Sequence, residues 1–106
     1  MSNALVTVPA TAKRGEIVEI KTLVSHNMET GYRRTERGAP IQRDIVRTFS
    51  CTYNGVEVFS AELHPAISAN PYIAFSTRAT ETGQLVFTWK GDNGFVATST
   101  ATLTVS

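Results

Sequence analysis

The strongest constraint on the fold is a period-two alternation of apolar and polar residues in short runs along the chain. Residues 84–90 are the clearest case, with Leu85, Phe87 and Trp89 on one face and only Val86 interrupting the polar face. Successive side chains of a strand point to opposite faces, so this run predicts a strand with one buried face. No segment sustains a helical period. Valine, isoleucine and threonine, which favour strands, make up 31 of the 106 residues.

Turn signals divide the chain into about seven such runs, which are too short for a helical domain. The predicted strands are residues 4–8, 16–25, 45–53, 56–63, 72–79, 84–90 and 95–105. Asn54-Gly55 is the strongest hairpin signal, because both residues tolerate the positive φ angles of a type I′ turn. Short strands around one central tryptophan predict an all-β fold. We expect an immunoglobulin-like β-sandwich of about seven antiparallel strands, in a single domain over residues 1–106.

The strand predicted at residues 16–25 has apolar side chains on both faces. One face carries Val18, Ile20, Thr22 and Val24. The other mixes Glu19 and Lys21 with Ile17 and Leu23. A face open to water has little use for two large aliphatic side chains, so we expect this second face to be partly covered too.

Charge and hydropathy exclude several classes of function. The net charge of +1 gives no long-range attraction to nucleic acid or anionic lipid. No apolar run approaches the ~20 residues that a helix needs to span a bilayer. The N-terminal residues show no basic start followed by an apolar stretch, so no secretory signal is predicted. Taken alone, these features favour the cytoplasm.

Cys51 is the only cysteine, and its function could be chemical or structural. It shares a predicted strand face with Phe49 and Tyr53, where a small buried hydrophobe is the commonest fate of a lone cysteine. No lysine, arginine or histidine is adjacent to lower the pKa of its thiol. The spacing of Cys51, His26 and His64 does not fit a blue-copper site. We therefore predict a structural cysteine and no catalytic, cofactor or metal site.

Two connections, residues 26–43 and 64–71, are longer than a minimal sandwich needs, and long loops on a rigid scaffold often carry function. The partner-binding candidates in or beside them are His26, Met28, Tyr32, Arg33, Arg34, Arg37, His64, Ile67 and Tyr72. The arginines of residues 33–43 suit an anion or an acidic partner, because guanidinium donates a planar fork to oxyanions. A solvated hairpin tip is an equally good explanation. A nucleic-acid site would need more aromatic residues for stacking than Tyr32.

Three strings resemble the Z subunit of the periplasmic Sox complex, which oxidises thiosulfate and other reduced sulfur compounds. They are GEIVEIKTLVSHNMETGYRR (15–34), FSCTYNGVEVFSAELHPAISANPY (49–72) and LVFTWKGDNG (85–94). The runs SHNMETGYR and LHPAISANPY are the specific part of this resemblance, which covers nearly the whole chain. The resemblance implies an immunoglobulin-like sandwich that pairs with a second subunit, Y.

In that family the Y subunit ends in a flexible Gly-Gly-Cys-Gly-Gly arm, whose cysteine carries the sulfur substrate between enzymes. The present chain has no such arm and ends in Thr104-Val105-Ser106. The resemblance therefore implies a non-catalytic scaffold that supports presentation of the Y arm to the other Sox enzymes. It also implies a periplasmic location, reached by export while bound to Y. The alternatives are a small anion- or nucleic-acid-binding domain using residues 33–43, and a small redox protein using Cys51.

Overall fold

The computed structural model describes residues 4–25, 45–63 and 71–106, which form eight strands and one 3₁₀ turn. The strands are β1 (Ala4–Thr7), β2 (Thr11–Ala12), β3 (Ile17–Val24), β4 (Val46–Tyr53), β5 (Val56–Glu62), β6 (Tyr72–Arg78), β7 (Gly83–Gly91) and β8 (Val96–Val105). The 3₁₀ turn Asp92–Gly94 joins β7 to β8. All seven runs predicted from the alternation are strands, with ends that differ by one residue at most.

The strands form two sheets, of order β1-β3-β6 and β2-β8-β7-β4-β5. Every pair is antiparallel except β2 and β8, which run parallel. The predicted all-β, immunoglobulin-like sandwich is therefore confirmed. Strand β2 was not predicted, because two residues are too few to show an alternation. Thr11 and Ala12 form a strand only because they pair with Thr104 and Val105, near the C-terminal end of the sequence.

Aromatic side chains fill the space between the two sheets. Trp89, Phe87 and Leu85 of β7 are fully buried, as the alternation predicts. Phe49 lies at the centre, with its ring centroid 5.1 Å from that of Trp89 and 6.0 Å from that of Phe75. Phe75 belongs to the three-stranded sheet, so this cluster joins the two sheets. Burial of large apolar side chains is the main favourable term in the free energy of folding.

The start of β4 departs from the predicted alternation. Ile45 and Val46 are both buried, although strict alternation would place them on opposite faces. A register shift between Val46 and Thr48 in the pairing with β7 lets both side chains reach the core. Gly91 lies opposite this irregularity, and a Cβ atom there would come within 2.4 Å of the Ile45 carbonyl oxygen. The close backbone approach therefore requires glycine at this position.

The Tyr53 hydroxyl joins the end of β4 to the turn between β6 and β7. It donates a hydrogen bond to the Glu81 carbonyl oxygen, and it accepts from the backbone N–H groups of Thr80 and Glu81, both at 3.3 Å. The tyrosine ring is buried, so water does not replace these bonds freely. This contact closes one end of the sandwich.

Replacing Tyr53 by phenylalanine should lower the free energy of unfolding by about 1–3 kcal/mol, because backbone groups of the turn lose their partner. Urea unfolding of the purified chain would measure this difference. Tyr72→Phe is the matched control, since Tyr72 is 60% exposed, and it should change stability by less than about 0.5 kcal/mol. Equal stability of Tyr53→Phe and the unsubstituted chain would contradict the role given to this hydroxyl.

Candidate partner-binding surface

The two long connections identified in the sequence begin and end at one end of the sandwich. The Val24 N–H donates to the Pro71 carbonyl oxygen at 3.2 Å, and the Leu63 N–H donates to the Arg47 carbonyl oxygen at 2.8 Å. Tyr53 closes the opposite end. We call the end marked by Ser25, Ile45, Leu63 and Pro71 the junction end. The chain enters and leaves residues 26–44 and 64–70 there.

Tyr72 is the one sequence-predicted candidate that lies within the described residues. It is the first residue of β6, it is 60% exposed, and it pairs with Leu23 of β3. The other candidates lie outside the described residues, and their role stays a prediction. They are His26, Met28, Tyr32, Arg33, Arg34, Arg37, His64 and Ile67.

The outer face of the three-stranded sheet carries an apolar row at the junction end. Cross-strand pairing places Leu5 of β1 beside Leu23 of β3, and Leu23 beside Tyr72 of β6. Leu5 is 66% exposed, and Leu23 is partly exposed. We call Leu5, Leu23 and Tyr72 the apolar row. Ile17, at the other end of β3, is 57% exposed on the same face.

The expectation that this face is partly covered holds for Leu23, which is half-buried, but not for Ile17. Sequence reasoning did not select Leu5 for the site. It lies in the strand predicted at residues 4–8, but nothing in the sequence placed β1 next to β3. The aliphatic residues on the second face of β3 were the available signal. They indicated an unusual face without showing which other strands share it.

The outer face of the five-stranded sheet has a different character. Its outward positions carry many small hydroxyl side chains, which the pairing of β5, β4, β7 and β8 arranges in rows. The same rows include the charged Glu57, Glu62 and Lys90 and two separate valines, Val86 and Val96. The hydroxyl residues are Thr48, Ser50, Thr52, Ser60, Thr88, Thr98, Thr100 and Thr102. Hydroxyl groups keep their hydrogen bonds with water on such a surface, so this face is suited to solvent.

Cys51 is fully buried on the inner face of β4, as the sequence predicted. It pairs with Phe59 on one side and Phe87 on the other. Desolvation by burial raises the pKa of the thiol from 9.0 to about 11. A thiol that is neutral at pH 7 and out of contact with solvent is neither a nucleophile nor an accessible sulfur carrier.

No metal-binding group is found among residues 4–25, 45–63 and 71–106. Within these ranges, no set of three or more histidine, cysteine, aspartate or glutamate side chains is placed to hold an ion. The same ranges contain no helix with the length and hydropathy of a membrane-crossing segment.

A cleft of about 410 Å³ opens beside the Tyr53 hydroxyl, between the edges of β5 and β6. Val56 and Val58 line one side, and Arg78 lines the other. The Arg78 guanidinium donates to the Gly15 carbonyl oxygen at 2.8 Å and so has a partner within the chain. The cleft therefore offers a shallow mixed surface and no cluster of reactive groups.

These observations define the class of protein as an immunoglobulin-like β-sandwich with a buried thiol and an exposed apolar row on one outer face. A superoxide reductase (neelaredoxin) from Ignicoccus hospitalis has a similar structure, with a TM-score of 0.76 and 14% sequence identity over 97% of this chain and 80% of that chain. The sulfur carrier protein SoxY from Chlorobium limicola f thiosulfatophilum is also similar, with a TM-score of 0.68 and 16% identity over 97% of this chain and 78% of that chain. At these identities the likeness shows the fold alone.

The family is shown by the sequence. A family model described as "Sulphur oxidation protein SoxZ" matches residues 6–102. The chain belongs to the SoxZ family, in agreement with the resemblance of the three strings. A comparison with curated protein sequences finds no match.

Proposed function

We propose that this chain is a non-catalytic scaffold subunit that pairs with a Y-type sulfur-carrier subunit in the oxidation of thiosulfate and other reduced sulfur compounds. In this role it supports presentation of the C-terminal cysteine arm of the Y-type subunit to the Sox enzymes, which contact the heterodimer transiently. The match of residues 6–102 to the SoxZ family carries the proposal.

The state of Cys51 supports a role without chemistry. It is the only thiol among the 106 residues, its side chain is 0% exposed, and its pKa is raised to about 11. A sulfur substrate carried on a thiol must reach the active sites of several enzymes, which a thiol between two sheets cannot do. The carrier thiol must then belong to another chain.

The fold of SoxY from Chlorobium limicola f thiosulfatophilum, a sulfur carrier protein by its name, supports a second sandwich as the partner. Two subunits of one fold present sheets of similar width and twist, so they can pack face to face as sheets do within a sandwich. A heterodimer of this kind should bury at least ~1,200 Å² in total around an apolar centre.

The proposed location is the periplasm, reached by export in complex with the Y-type subunit. Cell fractionation tests it. The chain should be periplasmic when the Y-type subunit carries its export signal, and it should stay in the cytoplasm when that signal is deleted. Periplasmic chain in the absence of the Y-type subunit would contradict export as a complex.

The functional test is co-purification with a Y-type subunit ending in Gly-Gly-Cys-Gly-Gly, followed by an assay of sulfur transfer with and without this chain. We expect a one-to-one complex and faster transfer when the chain is present. Two cysteine variants act as matched controls. Cys51→Ala in this chain should leave sulfur transfer intact. Replacing the arm cysteine of the Y-type subunit by serine should abolish transfer and leave the complex intact.

Two results would refute the proposal. Sulfur transfer at full rate by the Y-type subunit alone would refute the supporting role. Loss of transfer in a folded Cys51→Ala chain would show that this chain takes part in the chemistry through its own thiol.

A further inference from the structure

We propose that the outer face of the three-stranded sheet, centred on Leu5, Leu23 and Tyr72, is the surface on which the Y-type subunit docks. This inference rests on the proposed function, which requires such a partner, and goes further by assigning the interface to one face of this chain.

The contrast between the two outer faces is the first argument. The outer face of the five-stranded sheet carries mainly threonine, serine and charged side chains, and its two valines, Val86 and Val96, are not neighbours across the strands. The three-stranded sheet instead exposes Leu5 by 66% and Tyr72 by 60%, with Leu23 between them. Contiguous apolar side chains on the surface of a soluble domain mark an interaction site more often than scattered ones do.

The arrangement around the apolar row has the anatomy of an interface centre. The next row along the strands consists of Thr7, Lys21 and Ala74. Lys21 Nζ lies 3.5 Å from Glu19 Oε1 on the same face, so the lysine charge is paired within the chain. An uncharged surface of the partner can therefore pack beside it. An aromatic and aliphatic centre with a polar border is the usual composition of a protein interface. Small side chains such as Ala74 let another backbone come close.

The shape of this face favours a second sandwich over other occupants. The face is a sheet three strands wide, and SoxY from Chlorobium limicola f thiosulfatophilum has the same fold over 97% of this chain. Sheets pack face to face about 10 Å apart through their side chains, and two sandwiches of one fold can meet in this way. A peptide or a single helix binds best in a groove, whereas β1, β3 and β6 pair side by side as one continuous sheet.

The face is too small to form the whole interface by itself. The three strands, of four, eight and seven residues, cover on the order of 300 Å² in projection, whereas a stable complex buries about 800 Å² per partner. The interface must therefore extend beyond the sheet. The apolar row lies at the junction end, next to the points where the chain enters residues 26–44 and leaves residues 64–70.

The test compares charged substitutions on the two outer faces. Leu5→Glu and Tyr72→Glu each place a carboxylate in the proposed interface. Val96→Glu is the matched control, because Val96 is 58% exposed and lies near the junction end on the outer face of the five-stranded sheet. Affinity for the purified Y-type subunit is measured by titration calorimetry, and folding of each variant is checked by circular dichroism and thermal melting.

We expect Leu5→Glu and Tyr72→Glu each to weaken binding by at least about 30-fold, the effect of losing a well-buried contact at an interface centre. Val96→Glu should change affinity by less than about two-fold. Unchanged affinity of folded Leu5→Glu and Tyr72→Glu would overturn the inference and leave the proposed function standing. An unsubstituted chain that does not bind the Y-type subunit would overturn both.

Hydroxyl-radical footprinting of the unsubstituted chain keeps the inference testable if a variant fails to fold. Oxidation of Leu5 and Tyr72 should fall several-fold on addition of the Y-type subunit, while oxidation of Val96 stays constant. Lack of protection at Leu5 and Tyr72 in a formed complex would overturn the inference. So would a homodimer of this chain that buries the apolar row and still binds the Y-type subunit elsewhere.

Discussion

Replacing Trp89 by alanine is expected to lower the free energy of unfolding by about 3–5 kcal/mol, the usual cost of removing a large buried aromatic side chain. Trp89 is fully buried, and its ring lies 5.1 Å from Phe49 and 6.4 Å from Phe87, measured between centroids. The substitution removes these contacts and leaves a cavity that neighbouring strands cannot close without breaking their pairing. Thermal melting should show a fall on the order of 15–30 °C.

Tyr72→Ala is the matched control for Trp89→Ala. It also removes an aromatic ring from a strand, but one that is 60% exposed, so the isolated chain should lose less than about 1 kcal/mol. If Trp89→Ala does not fold, Trp89→Phe provides a milder test and should still be destabilised. An almost unchanged melting temperature for either Trp89 variant would contradict the position of this side chain at the centre of the core.

The stability of the chain should fall between pH 9 and pH 11 because of Cys51. The unfolded chain loses its thiol proton near pH 9.0, whereas burial in the folded chain keeps the thiol neutral up to about pH 11. The folded-state pKa is the raised one, so the stabilisation is fully present below pH 9 and is lost as the pH rises towards 11. Between pH 8 and pH 10.5 we expect a loss of about 2 kcal/mol from this group.

The contribution of Cys51 is isolated by comparison with Cys51→Ala, because this substitution removes the thiol and changes no other side chain. Denaturant unfolding at each pH should show a steeper fall for the unsubstituted chain than for the variant. A thiol reagent at pH 8 should react at least about 100-fold more slowly with the folded chain than with the denatured chain. Parallel pH profiles together with fast native labelling would show that the thiol is accessible.

The alternation of residues 84–90 was sufficient to predict which face of β7 is buried, because a strand repeats every two residues whatever its partners are. The Asn54-Gly55 turn was equally local, and both residues have positive φ angles, 50° and 82°. The start of β4 was not predictable in this way. Its buried pair, Ile45 and Val46, depends on a register shift against β7, some 45 residues further along the chain.

The SoxZ-specific strings of the sequence pointed to the family, and the family model over residues 6–102 confirmed it. The strings could not identify the docking face, because the sequence-based candidates were selected from the long connections. Of these candidates, Tyr72 alone falls within the described residues, and its importance comes from its neighbours on β3 and β1 rather than from the connection before it.

The sequence by itself determined the β class, the strand positions, the buried side of β7 and the structural role of Cys51, since each depends on residues close together in the chain. Tertiary structure alone decided the parallel pairing of β2 with β8, the irregularity at Val46 and the apolar row. Leu5, Leu23 and Tyr72 are separated by 18 and 49 positions in the sequence, and they form one surface only because β3 pairs with β1 on one side and β6 on the other. The period of two is a local property that a strand's own residues show, whereas the choice of neighbouring strand depends on the packing of the whole core.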